Sequence, residues 1–159
     1  DAVLAFARSH PYADSTHIAI WGWSGGGSST LNAMFRYPDV YQLGMAVAPV
    51  ADQRLYDTIY QERYMGTPQG NPDGYRRGSP INFADGLKGK LLIVHGTGDD
   101  NVNYQGTARL VNKLVSLDKQ FDMMIYPNRT HCICEQAGPP LQLYSTLTRY
   151  LLTNMPPAR

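Results

Sequence analysis

Apolar positions along this chain switch between two spacings, one suited to helices and one to buried strands, and the alternation predicts a layered α/β fold. Val3, Leu4, Phe6 and Ala7 recur at helical spacing, and the pattern stops before Pro11. Ile18-Ala19-Ile20-Trp21 is a short apolar run ending at Gly22, as a buried parallel strand requires. Ser28 to Tyr37 reads as a helix ended by Pro38, and Leu43 to Val47 as a second strand that leaves through Ala48-Pro49-Val50. Leu91-Leu92-Ile93-Val94-His95 is the clearest buried strand. A helix follows from Tyr104 to Leu117, with Ala108, Leu110, Val111, Leu114 and Val115 on its apolar stripe. Phe121 to Tyr126 makes another strand, and Pro140 to Leu152 the closing helix.

Residues 50–89 break this rhythm. They are rich in tyrosine, proline and glycine, with one helical piece from about Arg54 to Tyr64, and read as an excursion over the top of the sheet rather than as core. The order is therefore α-β-α-β-(excursion)-β-α-β-α, without internal repeat or low-complexity segment. In such sheets the loops at the carboxyl ends of the strands converge on one edge, where the chemistry sits.

The 159 residues suit one domain with a core of its own. A net charge of +1 offers no electrostatic reason to expect nucleic acid or an anionic membrane as partner. Charged residues make up 17%, below the roughly 25% usual for soluble domains, which suits a piece that packs against more protein. No apolar run approaches the ~20 residues of a membrane span, and the N-terminus is not a signal peptide. The two cysteines stand in a Cys132-Ile133-Cys134 run. Neighbours this close rarely reach disulfide geometry, and a zinc site beside His131 lacks a second pair of ligands, so free thiols are expected.

Three loops carry the chemistry. Gly22-Trp23-Ser24-Gly25-Gly26 matches G-x-S-x-G between a predicted strand and a predicted helix. The sharp turn strains Ser24, calls for small residues at positions 22 and 26, lifts the hydroxyl above the sheet edge, and aims the Gly25 amide at an oxyanion. The strongest strand runs directly into Asp99 and Asp100, either of which can orient a histidine, the other serving as cap or surface charge. His131 follows the next strand, completing the order Ser…Asp…His with each residue after its own strand. His10, His17 and His95 read as structural.

Gly-Trp-Ser-Gly-Gly-Gly at 22–27, the run from Tyr56 to Gly66 (Tyr-Asp-Thr-Ile-Tyr-Gln-Glu-Arg-Tyr-Met-Gly), and His95-Gly96-Thr97-Gly98-Asp99-Asp100-Asn101-Val102 closely resemble the dipeptidyl peptidase IV branch of the prolyl oligopeptidase family. The likeness covers nearly the whole chain. It implies an α/β-hydrolase fold with a mostly parallel sheet and helices on both faces. It also implies Ser24 as nucleophile, Asp99 as triad acid and His131 as general base, with no metal and no cofactor. By the same resemblance Tyr56 and Tyr60 line an S1 pocket for proline or alanine. Val50 and Val102 add pocket wall, Trp23 borders the substrate, and Asn101 bonds a substrate carbonyl. Three departures stand out. Gly25 replaces an aromatic residue usual after the nucleophile, Gln53 replaces an aromatic pocket residue, and Cys132 replaces the glycine common after the histidine.

The resemblance further implies that residues 1–159 are the C-terminal part of a longer peptidase. A β-propeller and the first sheet strands would precede it, together with a tyrosine oxyanion donor and the glutamates that bind a substrate amino group. It implies a secreted, periplasmic or membrane-anchored protein and allows a homodimer. The expected activity is release of dipeptides from peptide N-termini. Two alternatives remain: an acylaminoacyl-peptidase or esterase on the same triad, and an inactive interaction module.

Overall fold

The computed structural model describes residues 2–156, and Asp1 and residues 157–159 lie outside it. Helix α1 (Ala2–Ser9) precedes strand β1 (Ala19–Trp23), helix α2 (Gly25–Arg36) and strand β2 (Leu43–Val47). The excursion holds helices α3 (Thr58–Met65) and α4 (Pro72–Gly78). Strand β3 (Lys90–Gly96), helix α5 (Tyr104–Ser116), strand β4 (Asp122–Tyr126) and helix α6 (Gly138–Asn154) complete the order. The four strands form one parallel sheet in the sequence β1-β2-β3-β4.

The two central strands are buried on both faces, which is why they read as unbroken apolar runs. On one face Ala46, Leu91 and Ile93 pack with Leu31, Met34 and Phe35 of α2 and with Leu110 and Leu114 of α5. On the other, Leu43, Met45, Val47, Leu92 and Val94 meet Leu143 and Leu147 of α6. Side chains alternate across a strand, so Leu91, Ile93 and His95 fall on the α5 side. Helices thus cover both faces, and all strand ends point to one edge.

The structure corrects three sequence readings. Residues 50–89 are not wholly outside the core: a 3₁₀ stretch at Pro80–Gly86 brings Ala84, followed by Leu87, into the layer beneath α2. Here Gly86 lies so close to α2 that an added Cβ would sit 2.0 Å from the Phe35 carbonyl oxygen. A 3₁₀ stretch of seven residues is too short to show a helical apolar stripe, which hid this contact from pattern reading. The base of the excursion is tied by Asp52, whose buried carboxylate takes Nε and Nη2 of Arg54 at 3.1 Å each. The chain is laced there again by the Ile81 amide on the Ala51 carbonyl at 3.1 Å.

Second, the apolar stripe of α5 is rotated: Gly106, Thr107, Leu110 and Leu114 are buried, whereas Ala108 and Val115 are exposed. Thr107 displaces the expected apolar residues because its hydroxyl bonds the buried His95 at 2.7 Å. Third, Cys132 and Cys134 are not free but joined in a disulfide. An extended Cys-x-Cys run holds its Cα atoms about 6.6–7.2 Å apart. Here Ile133 adopts φ 45° and brings them to 5.0 Å, inside the bonding range of about 4.4–6.8 Å. Ile133 is fully buried against the α6-facing core, and that packing holds a β-branched residue in a left-handed conformation it otherwise avoids.

The rotated face of α5 yields a direct check. Leu114→Ala is expected to destabilise the domain by about 2–5 kcal/mol through a core cavity, and Val115→Ala by less than about 0.5 kcal/mol. Urea denaturation of the two variants measures this, and equal losses would return Val115 to the core.

Candidate active site

Strand β1 turns into α2 through Ser24, which sits at φ 59° and ψ −121°. A non-glycine residue there is strained, and the surroundings hold it. The Ser24 amide donates to the Val47 carbonyl at 2.8 Å, and its own carbonyl accepts from the Ser28 amide at 3.0 Å. At Gly22 an added Cβ would lie 2.3 Å from the Gly26 carbonyl carbon, so no side chain fits. Gly26 by contrast has open space around its own Cβ position, so the tight contact constrains position 22 alone. Gly25 is the first residue of α2, and its amide has no carbonyl one turn back to bond. That donor is available to a developing oxyanion.

The loops after β3 and β4 are fastened to each other. An added Cβ on Gly96 would lie 2.3 Å from the Arg129 carbonyl oxygen, so the two chains cross in contact. The Gly98 amide donates to that oxygen at 3.1 Å, and the Asn128 amide to the Thr97 hydroxyl at 2.8 Å. This lacing brings Asp99 to His131: Asp99 Oδ2 lies 2.8 Å from Nδ1 of the imidazole. Asp100 instead accepts from the His131 backbone amide at 3.4 Å. Asp99 also takes the amides of Asn101 at 2.9 Å and Val102 at 2.8 Å on Oδ1, and Nε2 of His95 at 3.0 Å on Oδ2. Burial alone would raise the pKa of this carboxyl, but the bonds from His95, His131, Asn101 and Val102 outweigh it and hold it at about 2. The group stays ionised at any working pH.

Two cavities open on either side of Ser24. The first, of about 540 Å³, is lined by Gly25, Val50, Gln53, Tyr56, Tyr60 and Tyr64 among others. The rings of Tyr56 and Tyr60 meet edge to face at 5.5 Å, and Tyr60 and Tyr64 lie 5.0 Å apart. The Tyr56 hydroxyl donates to Asn101 Oδ1 at 3.2 Å, which places Asn101 at the cavity mouth. The second cavity, of about 430 Å³, joins Trp23, Ser24 and His131 to the disulfide and to Leu143 and Tyr144. There Trp23 Nε1 donates to the His131 carbonyl at 3.1 Å. Ser24 and His131 thus share a wall, although among the described residues the Ser24 hydroxyl makes no hydrogen bond. Such contacts are often open without substrate and close in the reacting complex.

Val102 lies outside both cavity linings; its backbone serves Asp99 and His95 instead. Sequence reasoning missed Tyr64, Asn32 and Gln61 in the first cavity. The Tyr56, Tyr60, Tyr64 spacing of four residues signalled the first of these. It also set His95 aside, although this residue touches the acid. Of the other histidines, His17 makes an exposed pair with Asp14 at 2.7 Å, and His10 stacks on Phe6 at 4.1 Å.

A serine lifted off a parallel sheet by its own turn, with an imidazole held from behind by a buried acid, defines the serine-hydrolase class of the α/β-hydrolase fold. Within that class the chain belongs to the prolyl oligopeptidase family, whose sequence profile matches residues 1–156. It is 50% identical over 126 residues to "Probable dipeptidyl-aminopeptidase B" of Uncinocarpus reesii, covering 77% of this chain and 14% of that protein. With the Talaromyces marneffei protein of the same description it shares 42% over 156 residues, covering 96% of this chain and 17% of the relative. Among solved structures, Porphyromonas gingivalis dipeptidyl peptidase 4 superposes with a TM-score of 0.91 at 41% identity, covering 98% of this chain and 22% of that one.

Two outcomes are expected. Asp99→Asn lowers kcat by about 10⁴-fold, because the amide selects the wrong histidine tautomer, while Asp100→Asn costs less than about tenfold. Steady-state kinetics on the pair decide, and a larger loss in the Asp100 variant would reverse the assignment. The second outcome concerns acid stability. A carboxyl held at about 2 in the folded state stabilises the fold fully above about pH 4, its unfolded range, and loses that contribution as pH falls toward 2. Acid titration of the wild type and Asp99→Asn, followed by circular dichroism, is expected to show the wild type alone losing this part.

Proposed function

We propose that this chain carries the catalytic machinery of a serine exopeptidase that releases dipeptides from peptide N-termini, with proline or alanine in second position. One observation carries the reading: the strained Ser24 shares a cavity wall with His131, whose Nδ1 rests on the buried Asp99 at 2.8 Å. The names of the relatives narrow the hydrolase class to dipeptidyl peptidases.

In this reading Ser24 Oγ attacks the carbonyl carbon of the second residue while His131 Nε2 takes its proton. The Gly25 amide stabilises the oxyanion, and Asp99 steadies the imidazolium. His131 then gives the proton to the departing amine, leaving the dipeptide acylated on Ser24. Water, deprotonated by the same imidazole, releases it. Side chains and one amide perform every step, so no cofactor is required.

The aromatic walls of Tyr56 and Tyr60 offer a flat slot to a proline ring, with Val50 behind it. The far end of the cavity is polar: Gln61 donates to Gln53 Oε1, and Gln53 Nε2 to the Gly78 carbonyl at 3.2 Å. Asn101 stands where its amide can orient a substrate carbonyl.

The chain spans less than a fifth of the curated relatives, 14% of one and 17% of another. We therefore place it at the C-terminal end of a longer enzyme whose own β-propeller, amino-group glutamates and second oxyanion donor lie upstream. The reading allows a homodimer and includes a secreted, periplasmic or membrane-anchored location, which the Cys132–Cys134 disulfide supports because such bonds persist in oxidising compartments. Among the described residues no helix is long and apolar enough to cross a membrane.

In the enzyme at its full natural length, Ser24→Ala is expected to abolish turnover of a Gly-Pro or Ala-Pro chromogenic substrate by several orders of magnitude with stability unchanged. Tyr60→Ala is expected to cost proline substrates about 1–3 kcal/mol of transition-state stabilisation. Equal losses with lysine in that position would remove Tyr60 from the pocket. Residues 1–159 alone are expected to turn over the same substrate at least about 10²-fold more slowly than the full enzyme, one oxyanion donor being worth that much. Activity of the short chain within tenfold of the parent would contradict this.

A further inference from the structure

His95 ends β3 on the face that Leu91 and Ile93 present to α5, a position where packing asks for an apolar side chain. It is fully buried nonetheless. Burying a polar ring is costly unless its nitrogens are bonded, and an isoleucine or valine would fill this site without that cost. Both nitrogens are bonded. Nδ1 lies 2.7 Å from the Thr107 hydroxyl on α5, while Nε2 lies 3.0 Å from Asp99 Oδ2 and 2.9 Å from the Val102 carbonyl. A carbonyl only accepts, so Nε2 carries the proton and shares it between Val102 and Asp99. In the neutral ring Nδ1 then accepts from Thr107, whose hydroxyl is itself buried. The edge of the interaction with Tyr104, at 5.6 Å and 88° between ring planes, limits rotation of the imidazole.

The consequence reaches the catalytic histidine. Asp99 Oδ2 receives His95 on one side and His131 on the other, while Oδ1 receives two backbone amides. Without His95 the oxygen that holds His131 would lose its only other side-chain donor among the described residues, and the carboxylate would pivot about the bonds on Oδ1. We propose that His95 is a positioning residue of the catalytic apparatus: clamped by Thr107, its Nε2–H fixes the Asp99 oxygen that in turn fixes the angle and tautomer of His131. The proposal rests on the serine-peptidase reading above. Asp100, on the His131 amide, is a further charged group beside this cluster.

The test uses the enzyme at full natural length and compares His95→Leu, His95→Gln and Thr107→Val with the parent. The readouts are kcat, KM, the acid limb of the kcat/KM profile, melting temperature and the rate of Ser24 labelling by a fluorophosphonate. His95→Leu is expected to lower kcat by about 10–100-fold, as for other groups that orient a catalytic ligand, with KM unchanged within about twofold. Its acid limb moves to higher pH, because an Asp99 carboxylate no longer shared with His95 holds the protonated His131 ring more tightly. His95→Gln recovers most of kcat, since Gln Nε2 presents an N–H in place of the imidazole one. Thr107→Val, which releases the clamp while keeping the ring, shifts kcat and the acid limb in the same direction.

A role in folding alone predicts something else: a lower melting temperature, an unmoved acid limb, and no recovery with glutamine. That pattern overturns the proposal, as does an unchanged kcat and acid limb in Thr107→Val should His95→Leu not fold. A parent that labels at Ser24 but cleaves no dipeptide overturns the dipeptidyl reading alone, and His95 is then judged from the labelling rates. A parent that neither labels nor cleaves overturns both.

Discussion

The carboxylate of Asp99 joins everything at the active edge of this molecule. It sits just past β3, one of the two buried central strands, and takes two backbone amides from its own loop and two imidazoles, one from β3 itself and one from the loop after β4. Four donors on two oxygens leave little freedom, and they stabilise the charged form against burial. The loop after β4 gains its position from this carboxylate and from the crossing at Gly96. Bonds that hold the fold together there are the same bonds that set the His131 imidazole.

A second constraint comes from the other side of the sheet edge. The Ser24 turn is strained, and it is held because the Val47 carbonyl takes the Ser24 amide while α2 seats closely on the end of β2. At Gly27 an added Cβ would lie 2.7 Å from that same Val47 oxygen. Strain at Ser24 is thus supported by core packing of Leu31, Met34 and Phe35 several residues further along the same helix. The elbow follows β1 and Asp99 follows β3, and β2 lies between them, paired from Ala19–Leu43 to Trp23–Val47 on one side and from Leu43–Lys90 to Val47–Val94 on the other. Rigid pairing keeps their separation constant, as the proposed mechanism demands.

The three departures from the family pattern gather around this centre without touching its charges. Gly25 leaves one wall of the first cavity open, Gln53 makes its far end polar, and Cys132 closes a disulfide beside His131. Each stands in or beside a cavity wall rather than among the groups bonded to Asp99. The family membership and the altered walls are therefore compatible: the departures leave the bonds on Asp99 intact and change only the surroundings of Ser24 and His131.

Alternating apolar runs, the glycine-framed serine and the order Ser, Asp, His were legible in the chain itself, because each depends on neighbours within a few residues. Parallel strands buried on both faces, helix stops at proline and the need for glycine at position 22 are local consequences of backbone geometry. What remained open depended on residues distant in sequence. The choice between Asp99 and Asp100 turns on which one the lacing between the β3 and β4 loops brings to Nδ1 of His131. Ala84 and Leu87 join the core only because α2 passes over a glycine, and the cysteines bond only because buried Ile133 bends the chain between them. His95 looked like a strand-end histidine until α5 supplied Thr107 and the loop returned Asp99. Sequence determines which groups are available and on which elements they ride; tertiary structure decides which of them meet, since a hydrogen bond is made or lost over a few tenths of an ångström that no local pattern encodes.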